Sequence, residues 1–241
     1  MRIVEVADYA ELCRQAADKV VATVAAKPDA VLVLPTGNTP LGLYRELVAR
    51  HRSGQVDFGR VRFVVLDEYA RIDRADPRRL TLWLERALLD AIGAGAERVL
   101  AFDPGADPDA EAVRVESAIG GLGGIDLAVL GLGPNGHLGF NEPGSTFDSR
   151  ARLVTLAGET IRSNAAYWGS RARVPVAGLT LGLGTLRQAR QLLLLVSGAA
   201  KIDIYRKFRD GPVGPSLPAT LLRMLDDATV LVDRAALAGS S

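Results

Sequence analysis

The sequence predicts an α/β protein with one doubly wound, mainly parallel sheet and helices on both of its faces. Seven apolar runs, several nearly continuous in Val and Leu, alternate with segments of helical periodicity. Continuous apolar runs are typical of parallel strands, because helices cover both faces of such a sheet. The alternation of these strands with helices favours a Rossmann-like architecture. A length of 241 residues suits one large α/β domain or two small ones.

The elements follow from these patterns in chain order. The predicted strands are Arg2–Val6, Ala30–Leu34, Val61–Leu66, Arg98–Phe102, Asp126–Gly131, Gln191–Val196 and Ala228–Val232. Helical patterns include Ala10–Ala26, Leu41–His51, Arg79–Ala91 and Ala199–Arg209. We find no internal repeat and no convincing linker, so we expect a single domain over residues 1–241. The less regular segment at about 147–176 is expected to form a lid over a site.

Composition restricts the classes of function. The chain has 29 Lys and Arg against 28 Asp and Glu, a balance that gives no support to nucleic-acid or membrane-surface binding driven by charge. The single cysteine, Cys13, excludes an intrachain disulfide and a cysteine-based zinc site, and we expect it to be a buried structural thiol. There is no signal pattern, and no apolar stretch approaches the roughly 18 residues that span a bilayer. We therefore expect a soluble, cytoplasmic protein.

The loop over residues 131–142 is the most informative segment. It reads Gly-Leu-Gly-Pro-Asn-Gly-His-Leu-Gly-Phe-Asn-Glu and directly follows a buried apolar run. Its four glycines let the backbone bend and approach a ligand. It carries His137 and, five residues later, Glu142, and a carboxylate beside an imidazole can tune it for proton transfer near neutral pH. A structural turn with a surface histidine is the alternative interpretation.

Three further segments follow predicted strands. The loop Thr36-Gly37-Asn38-Thr39 precedes a helix and offers N–H groups and a positive dipole end to an anion, although an ordinary N-capped helix start would look the same. Asp67 and Glu68 place two carboxylates at a strand end, where they suit acid–base chemistry or merely cap the next helix. Lys201 lies in the first turn of a predicted helix, where it either reaches an anion at the helix start or is solvated.

Carboxyl ends of parallel strands meet at one edge of the sheet, and ligands bind beyond that edge. We therefore predict that residues 35–40, 67–69, 135–142 and 197–201 line one cleft. This convergence is harder to attribute to chance than any single motif.

These segments resemble the glucosamine-6-phosphate deaminase (isomerase) family, within a superfamily that includes the 6-phosphogluconolactonases. The matching motifs run in family order over nearly the whole chain. They are Pro-Thr-Gly-Asn-Thr-Pro at 35–40, Leu-Asp-Glu-Tyr at 66–69, the glycine-rich loop extended through Pro-Gly-Ser at 145, Val-Pro at 174–175 with Thr-Leu-Gly-Leu-Gly-Thr at 180–185, Ser-Gly-Ala-Ala-Lys at 197–201 and Leu-Pro-Ala-Thr at 217–220. Phe-Asn-Glu-Pro at 140–143 favours the deaminase branch, because the lactonases resemble only the Gly-His part.

The resemblance implies a reaction in which an amino-sugar phosphate loses ammonia while the aldose becomes a ketose. His137 would open the pyranose ring, Glu142 would orient and charge-stabilise the imidazole, and Asn135 would stand beside them. Asp67 would carry a proton from C2 to C1 through an enolamine. The phosphate would be held by a set of five residues, namely Thr36, Gly37, Asn38, Thr39 and Lys201. The resemblance implies no metal and no organic cofactor, because the amino group and the ring-opened aldehyde supply the activation.

Departures from the family pattern cluster at the substrate end of the site. Position 135 is Asn, where some members carry a third carboxylate and others also have Asn. The family usually places a phosphate-clamping arginine in the lid, where this chain has Ala166. The usual His-Pro after the Asp-Glu-Tyr loop reads Asp76-Pro77 here. Either a lid arginine such as Arg162 or Arg171 substitutes, or the substrate differs from the ordinary sugar phosphate, and we slightly favour the altered substrate.

Two other functions stay open. One is a sugar-lactone hydrolase on the same fold, against which stand Phe140–Pro143 and the carboxylates at 67 and 68. The other is a non-catalytic sugar-phosphate-binding domain, against which stand His137, Glu142 and Asp67. We predict no nucleic-acid or membrane partner, and both a monomer and a homo-oligomer agree with the sequence.

Overall fold

All seven predicted strands form one parallel sheet in the computed structural model, which describes residues 1–238. The strands are β1 (Arg2–Val6), β2 (Val31–Leu34), β3 (Arg62–Val65), β5 (Val99–Leu100), β6 (Leu127–Gly131), β9 (Leu192–Val196) and β10 (Ala228–Asp233). Their order across the sheet is β1-β10-β9-β6-β2-β3-β5, and each neighbouring pair is parallel. The fold class expected from the apolar runs is therefore confirmed.

Helices cover both faces of this sheet. They are α1 (Tyr9–Ala26), α2 (Leu41–Arg52), α3 (Leu80–Leu84), α4 (Pro108–Gly121), α5 (Gly158–Trp168), α6 (Leu183–Leu186), α7 (Ile202–Asp210) and α8 (Arg234–Leu237). The helix expected over Arg79–Ala91 starts as α3 and continues as a π-helical turn and a 3-10 turn to Ile92. Cys13 is buried on α1, as expected. No helix within residues 1–238 has the length and hydrophobicity needed to cross a membrane.

Two hydrophobic cores lie on opposite faces of the sheet. They show at which strands the following segment of chain changes from one face to the other. One contains Leu43 and Leu47 of α2 together with the inner face of α1. The other contains Val115 of α4 and Phe208 of α7. The strands β2 and β6 are neighbours, yet β2 leads into α2 on one face while the chain after β6 packs into the other core. Such a switch point opens a crevice at the carboxyl ends of the strands.

A second, three-stranded antiparallel sheet was not predicted from the sequence. It consists of β4 (Asp67–Tyr69), β8 (Ala177–Thr180) and β7 (Arg152–Thr155), in that order. Strands of three or four residues carry too few alternations for a period of two to be recognised, and their pairing is long-range. The segment 147–176 accordingly holds β7 and α5 and is more regular than expected.

Candidate functional site

A cavity of about 600 Å³ lies over the carboxyl ends of β2, β6 and β9, between the parallel sheet and α5. It brings together most of the predicted site. The sequence-predicted residues that line it are Thr36, Gly37, Asn38, Thr39, Asp67, His137 and Lys201. Asn135, Glu142 and Glu68 are not among the lining residues. The residues proposed to contact the substrate therefore line one cleft, as predicted. The carboxylates of Glu68 and Glu142 and the amide of Asn135 lie outside its lining.

Asp67 occupies a strand position that buries its carboxyl group. It is the first residue of β4, is paired with Thr180 of β8, and lies directly beyond the end of β3. Burial, and secondarily the negative charge of Glu68, raise the pKa of Asp67 to about 8. A carboxylate that resists ionisation is a strong base once it is ionised, which suits removal of a proton from carbon.

Glu68 has a structural role. Successive side chains of a strand point to opposite sides, so Asp67 and Glu68 do not act as the pair of acid–base carboxylates that we expected. Its carboxylate accepts hydrogen bonds from the backbone N–H groups of Leu80 (2.8 Å) and Thr81 (3.0 Å) and from the Thr81 hydroxyl (2.9 Å). Glu68 thereby caps α3, which is the alternative that the sequence left open. Its charge still acts on Asp67 through space.

His137 stands in a network of three polar side chains. Its Nδ1 atom lies 3.4 Å from Glu142 Oε2 and 3.1 Å from Thr160 Oγ1. Asn135 donates from Nδ2 to Glu142 Oε2 (2.8 Å) and accepts from the His137 backbone N–H at Oδ1 (3.2 Å). The Ala157 backbone N–H donates to the other Glu142 oxygen (3.1 Å). Both the position of the imidazole and the charge beside it are thus fixed by neighbours.

Glu142 is ionised over the physiological pH range. Its burial alone would favour the neutral acid, but the contacts with His137, Thr160 and Asn135 outweigh that effect and lower the pKa of Glu142 to about 2. An anion held next to Nδ1 favours the positively charged form that an imidazole takes when it accepts a proton.

Two glycines of the loop are required for this arrangement. A β carbon at Gly133 would lie 2.2 Å from His137 Nε2, so only glycine leaves room for the ring. Gly136 has a φ of +85°, in the left-handed region that favours glycine. The glycine-rich loop therefore makes room for the histidine, in addition to bending the backbone.

Other residues that line the cavity offer hydrogen-bond donors to an anion. Within residues 1–238, no acceptor takes the backbone N–H groups of Gly37, Asn38 or Thr39. Lys201 lines the same cavity and donates from Nζ to the carbonyl oxygen of Leu132 (2.6 Å). Burial lowers the pKa of Lys201 from its ordinary value, a cost that a bound anion would offset.

The position of the missing arginine lies in the wall of the cavity. Ala166 of α5 lines the cavity, whereas neither Arg162 nor Arg171 does. Arg162 is instead paired with Glu159 at 2.9 Å on the exposed side of α5. Lys201 is the only Lys or Arg of residues 1–238 that lines the cavity. Neither Arg162 nor Arg171 therefore takes the place of the missing arginine in the cavity.

Asp76 binds Arg78, which lies next to the C-terminal end of α5. It binds Arg78 through both carboxylate oxygens, at 2.9 and 2.6 Å. The Arg78 guanidinium carbon lies 4.1 Å from the ring centroid of Trp168, and the Tyr167 hydroxyl donates to the Arg78 carbonyl oxygen (3.0 Å). These contacts fasten the end of α5 to the segment that follows β4.

Sequence reasoning missed several lining residues. Thr160, which contacts His137, lies in the segment predicted as a lid, and that location was the only signal for it. Trp83 and Tyr167 line the cavity from α3 and α5, but an aromatic residue in a helical pattern normally indicates core. No group of three or more His, Cys, Asp or Glu side chains placed to hold a metal occurs within residues 1–238.

The fold and the cavity define an α/β protein in which a buried aspartate, a histidine beside a carboxylate and a loop of backbone N–H donors come together at a sheet switch point. The family model for glucosamine-6-phosphate isomerases/6-phosphogluconolactonase matches residues 6–231, so the chain belongs to this family.

Similar proteins extend over the whole chain. The glucosamine-6-phosphate deaminase of Bacillus velezensis is 40% identical over 240 residues, covering 99% of this chain and 100% of the relative. Glucosamine-6-phosphate deaminase 1 of Bacillus subtilis is 39% identical, with 98% of each chain covered. A solved structure described as a monomeric glucosamine-6-phosphate deaminase has a TM-score of 0.95 at 39% identity, with 98% of each chain covered. The 6-phosphogluconolactonase of Trypanosoma cruzi shares the fold, with a TM-score of 0.78 at 22% identity, covering 99% and 96%.

Proposed function

We propose that this chain is an amino-sugar-phosphate deaminase and isomerase that converts glucosamine 6-phosphate to a ketose phosphate and ammonia. The observation that carries the proposal is one cavity with a buried carboxyl base, Asp67, and a histidine backed by a carboxylate, His137. Relatives about 40% identical over the full chain carry the name of this activity. The lactonases are similar only at the level of the fold.

Each step has a residue suited to it. His137 moves the proton of the anomeric hydroxyl to the ring oxygen as the bond between C1 and that oxygen breaks, and Glu142 stabilises the transient positive charge. Asp67 then removes the proton at C2, whose electron pair forms the C1–C2 double bond of an enolamine while the electron pair of the C1 carbonyl moves to its oxygen, which takes a proton from water and becomes a hydroxyl. The return of that proton to C1 leaves an imine at C2. Water adds at C2 and ammonia leaves, so the ketose forms without a net redox change.

The phosphate is assigned to the loop and to Lys201. The backbone N–H groups at residues 37–39, which have no acceptor among the described residues, and the N-terminus of α2 that follows them complement an anion. The ammonium of Lys201 adds the positive charge. The lid is assigned to α5, because it supplies Thr160 to the histidine and Ala166 to the wall of the cavity.

Two broader assignments accompany the reaction. We place the enzyme in the cytoplasm, because a phosphorylated sugar is charged and charge is costly to bring into a bilayer. We assign it a monomeric state, supported by its similarity to the deaminase described as monomeric.

The test is to measure two activities on the same preparation. Ammonia release from glucosamine 6-phosphate and hydrolysis of 6-phosphogluconolactone are followed side by side, with Asp67→Asn as the inactive reference. We expect ammonia release that falls about 10²–10⁴-fold in Asp67→Asn, the usual size of a general acid–base contribution. Lactone hydrolysis without ammonia release would assign the protein to the other branch, and ligand binding without turnover would leave a binding domain.

A further inference from the structure

Tyr9, the first residue of α1, reaches across to the anion-binding loop although it does not line the cavity. Its hydroxyl lies 2.9 Å from the carbonyl oxygen of Thr39 and 3.4 Å from that of Asn38. The backbone N–H of Gly42, in the first turn of α2, donates to the same hydroxyl at 2.8 Å. One side chain from a different helix thus bridges the end of the loop and the start of the helix that follows it.

The loop has few other bonds to hold its shape. At its start, the buried Tyr44 hydroxyl donates to the carbonyl oxygen of Pro35. At its end, Leu41 N–H donates to Asn38 O at 3.3 Å, and the residue before α2, Pro40, provides no side-chain cap. Since the N–H groups of residues 37–39 have no acceptor in the part of the chain that the structure describes, the Tyr9 hydroxyl is the main external restraint on the half of the loop next to α2.

Close packing of α1 on α2 keeps that hydroxyl in place. A β carbon at Gly42 would lie 2.3 Å from Cys13 Sγ and 2.9 Å from the Tyr9 hydroxyl oxygen. The absence of a side chain at Gly42 therefore allows Tyr9 to reach its N–H group. A hydroxyl carries one proton, so it donates to Thr39 while accepting from Gly42, and both functions are used.

We propose that Tyr9 is a positioning residue for phosphate binding: its hydroxyl fixes the Thr39 carbonyl and the Gly42 amide so that the neighbouring N–H groups are pre-arranged for the anion. The inference rests on the proposed role of this loop in binding the phosphate. Pre-arranged donors bind more tightly because less ordering is needed on binding. The effect belongs to the binding of substrate and not to the chemical step.

The test compares Tyr9→Phe with the wild type and with Tyr205→Phe, a matched change at a buried tyrosine that does not line the cavity. KM and kcat are measured for glucosamine 6-phosphate, and the Kd of inorganic phosphate is measured by calorimetry. We expect Tyr9→Phe to raise KM and the phosphate Kd about 3- to 10-fold, the change that accompanies loss of one ordinary hydrogen bond. We expect kcat to stay nearly unchanged, and Tyr205→Phe to behave like the wild type in KM and Kd.

Other outcomes would overturn the inference in distinguishable ways. If Tyr9→Phe leaves KM unchanged and lowers kcat, a smaller fraction of the variant is folded and active, and Tyr9 has only a structural role. A phosphate Kd equal to that of the wild type, or a wild type that binds no phosphate, would reject the positioning role. Phosphate binding that depends on Tyr9 without any ammonia release would support the inference and reject the proposed reaction. If Tyr9→Phe is unstable, the rise in Tm on adding phosphate supplies the same comparison, and a rise equal to that of the wild type rejects the role.

Discussion

Asp67 and Glu68 are adjacent in the chain and chemically alike, yet their surroundings give them different tasks. Glu68 accepts three hydrogen bonds from Leu80 and Thr81, so its charge is compensated by a helix start. Asp67 is buried at the cavity, and its pKa rises to about 8. The sequence placed two carboxylates at a strand end, but only the direction of each side chain separates the carboxyl group at the cavity from the one that caps a helix.

The role of His137 predicts a substrate-dependent defect. His137→Gln should impair turnover of the ring-closed substrate about 10²–10⁴-fold, because ring opening is the step assigned to its imidazole. An analogue that lacks both the C4 and the C5 hydroxyl, and therefore closes to neither a furanose nor a pyranose, should lose far less. Steady-state rates on both substrates provide the measurement, and His51→Gln, at the other histidine, is the matched control. Equal losses on the two substrates would contradict the assignment.

Ala166 predicts a gain from restoring the missing charge. Ala166→Arg should tighten binding of glucosamine 6-phosphate about 10- to 150-fold, because a charge-assisted hydrogen bond contributes roughly 1.5–3 kcal/mol. Titration calorimetry with catalytically impaired Asp67→Asn as the background gives the Kd. Ala165→Arg, one residue away and not lining the cavity, controls for added charge. High wild-type affinity that the arginine does not improve would mean that another residue already holds the phosphate. Weaker native turnover with the arginine would favour an altered substrate.

At the scale of elements, the second sheet decides what the site contains. Strand β4 continues from β3 after a single residue and pairs with β8, and this pairing fixes which side of the strand Asp67 occupies. The short helix α3 begins where Glu68 can reach its free N–H groups. The helix α5 completes the wall and is fastened through Arg78.

Removal of the Glu68 cap should destabilise the fold. Glu68→Ala should lower the free energy of unfolding by about 1–3 kcal/mol, because the N–H groups of Leu80 and Thr81 would be left buried without their acceptor. Urea unfolding supplies the value, with Glu97→Ala as the control at an exposed glutamate. A change no larger than that of Glu97→Ala would show that α3 does not depend on this cap.

At the scale of the whole molecule, the active site costs stability that depends on pH. The unfolded chain ionises Asp67 near pH 4 and the folded chain near pH 8, so the native state binds more protons between these values. Stability from this group is therefore present below about pH 4 and is lost as the pH rises towards about 8. Burial of the proposed base is one form of the trade-off between activity and stability.

Asp67→Asn should remove this pH dependence. We expect the variant to exceed the wild type in free energy of unfolding at pH 8 by more than it does at pH 5, since an amide has no charge to bury. Urea denaturation at the two pH values measures the difference, and Asp29→Asn, at an exposed aspartate, is the control. An advantage that is constant with pH would mean that burial does not hold the carboxyl group in its neutral form.

The parallel sheet, its seven strands and the four segments that meet at its carboxyl edge could all be predicted from the order of the residues. These features rest on continuous apolar runs and on turn residues, which act locally and are visible in one dimension. Three features became visible only in the folded chain. They are the second sheet, the different surroundings of Asp67 and Glu68, and the contacts of Thr160 and Tyr9 with the site. Those features depend on which side chains meet across long separations in the chain. Short strands and single hydroxyl groups leave no periodic signal from which such meetings could be predicted.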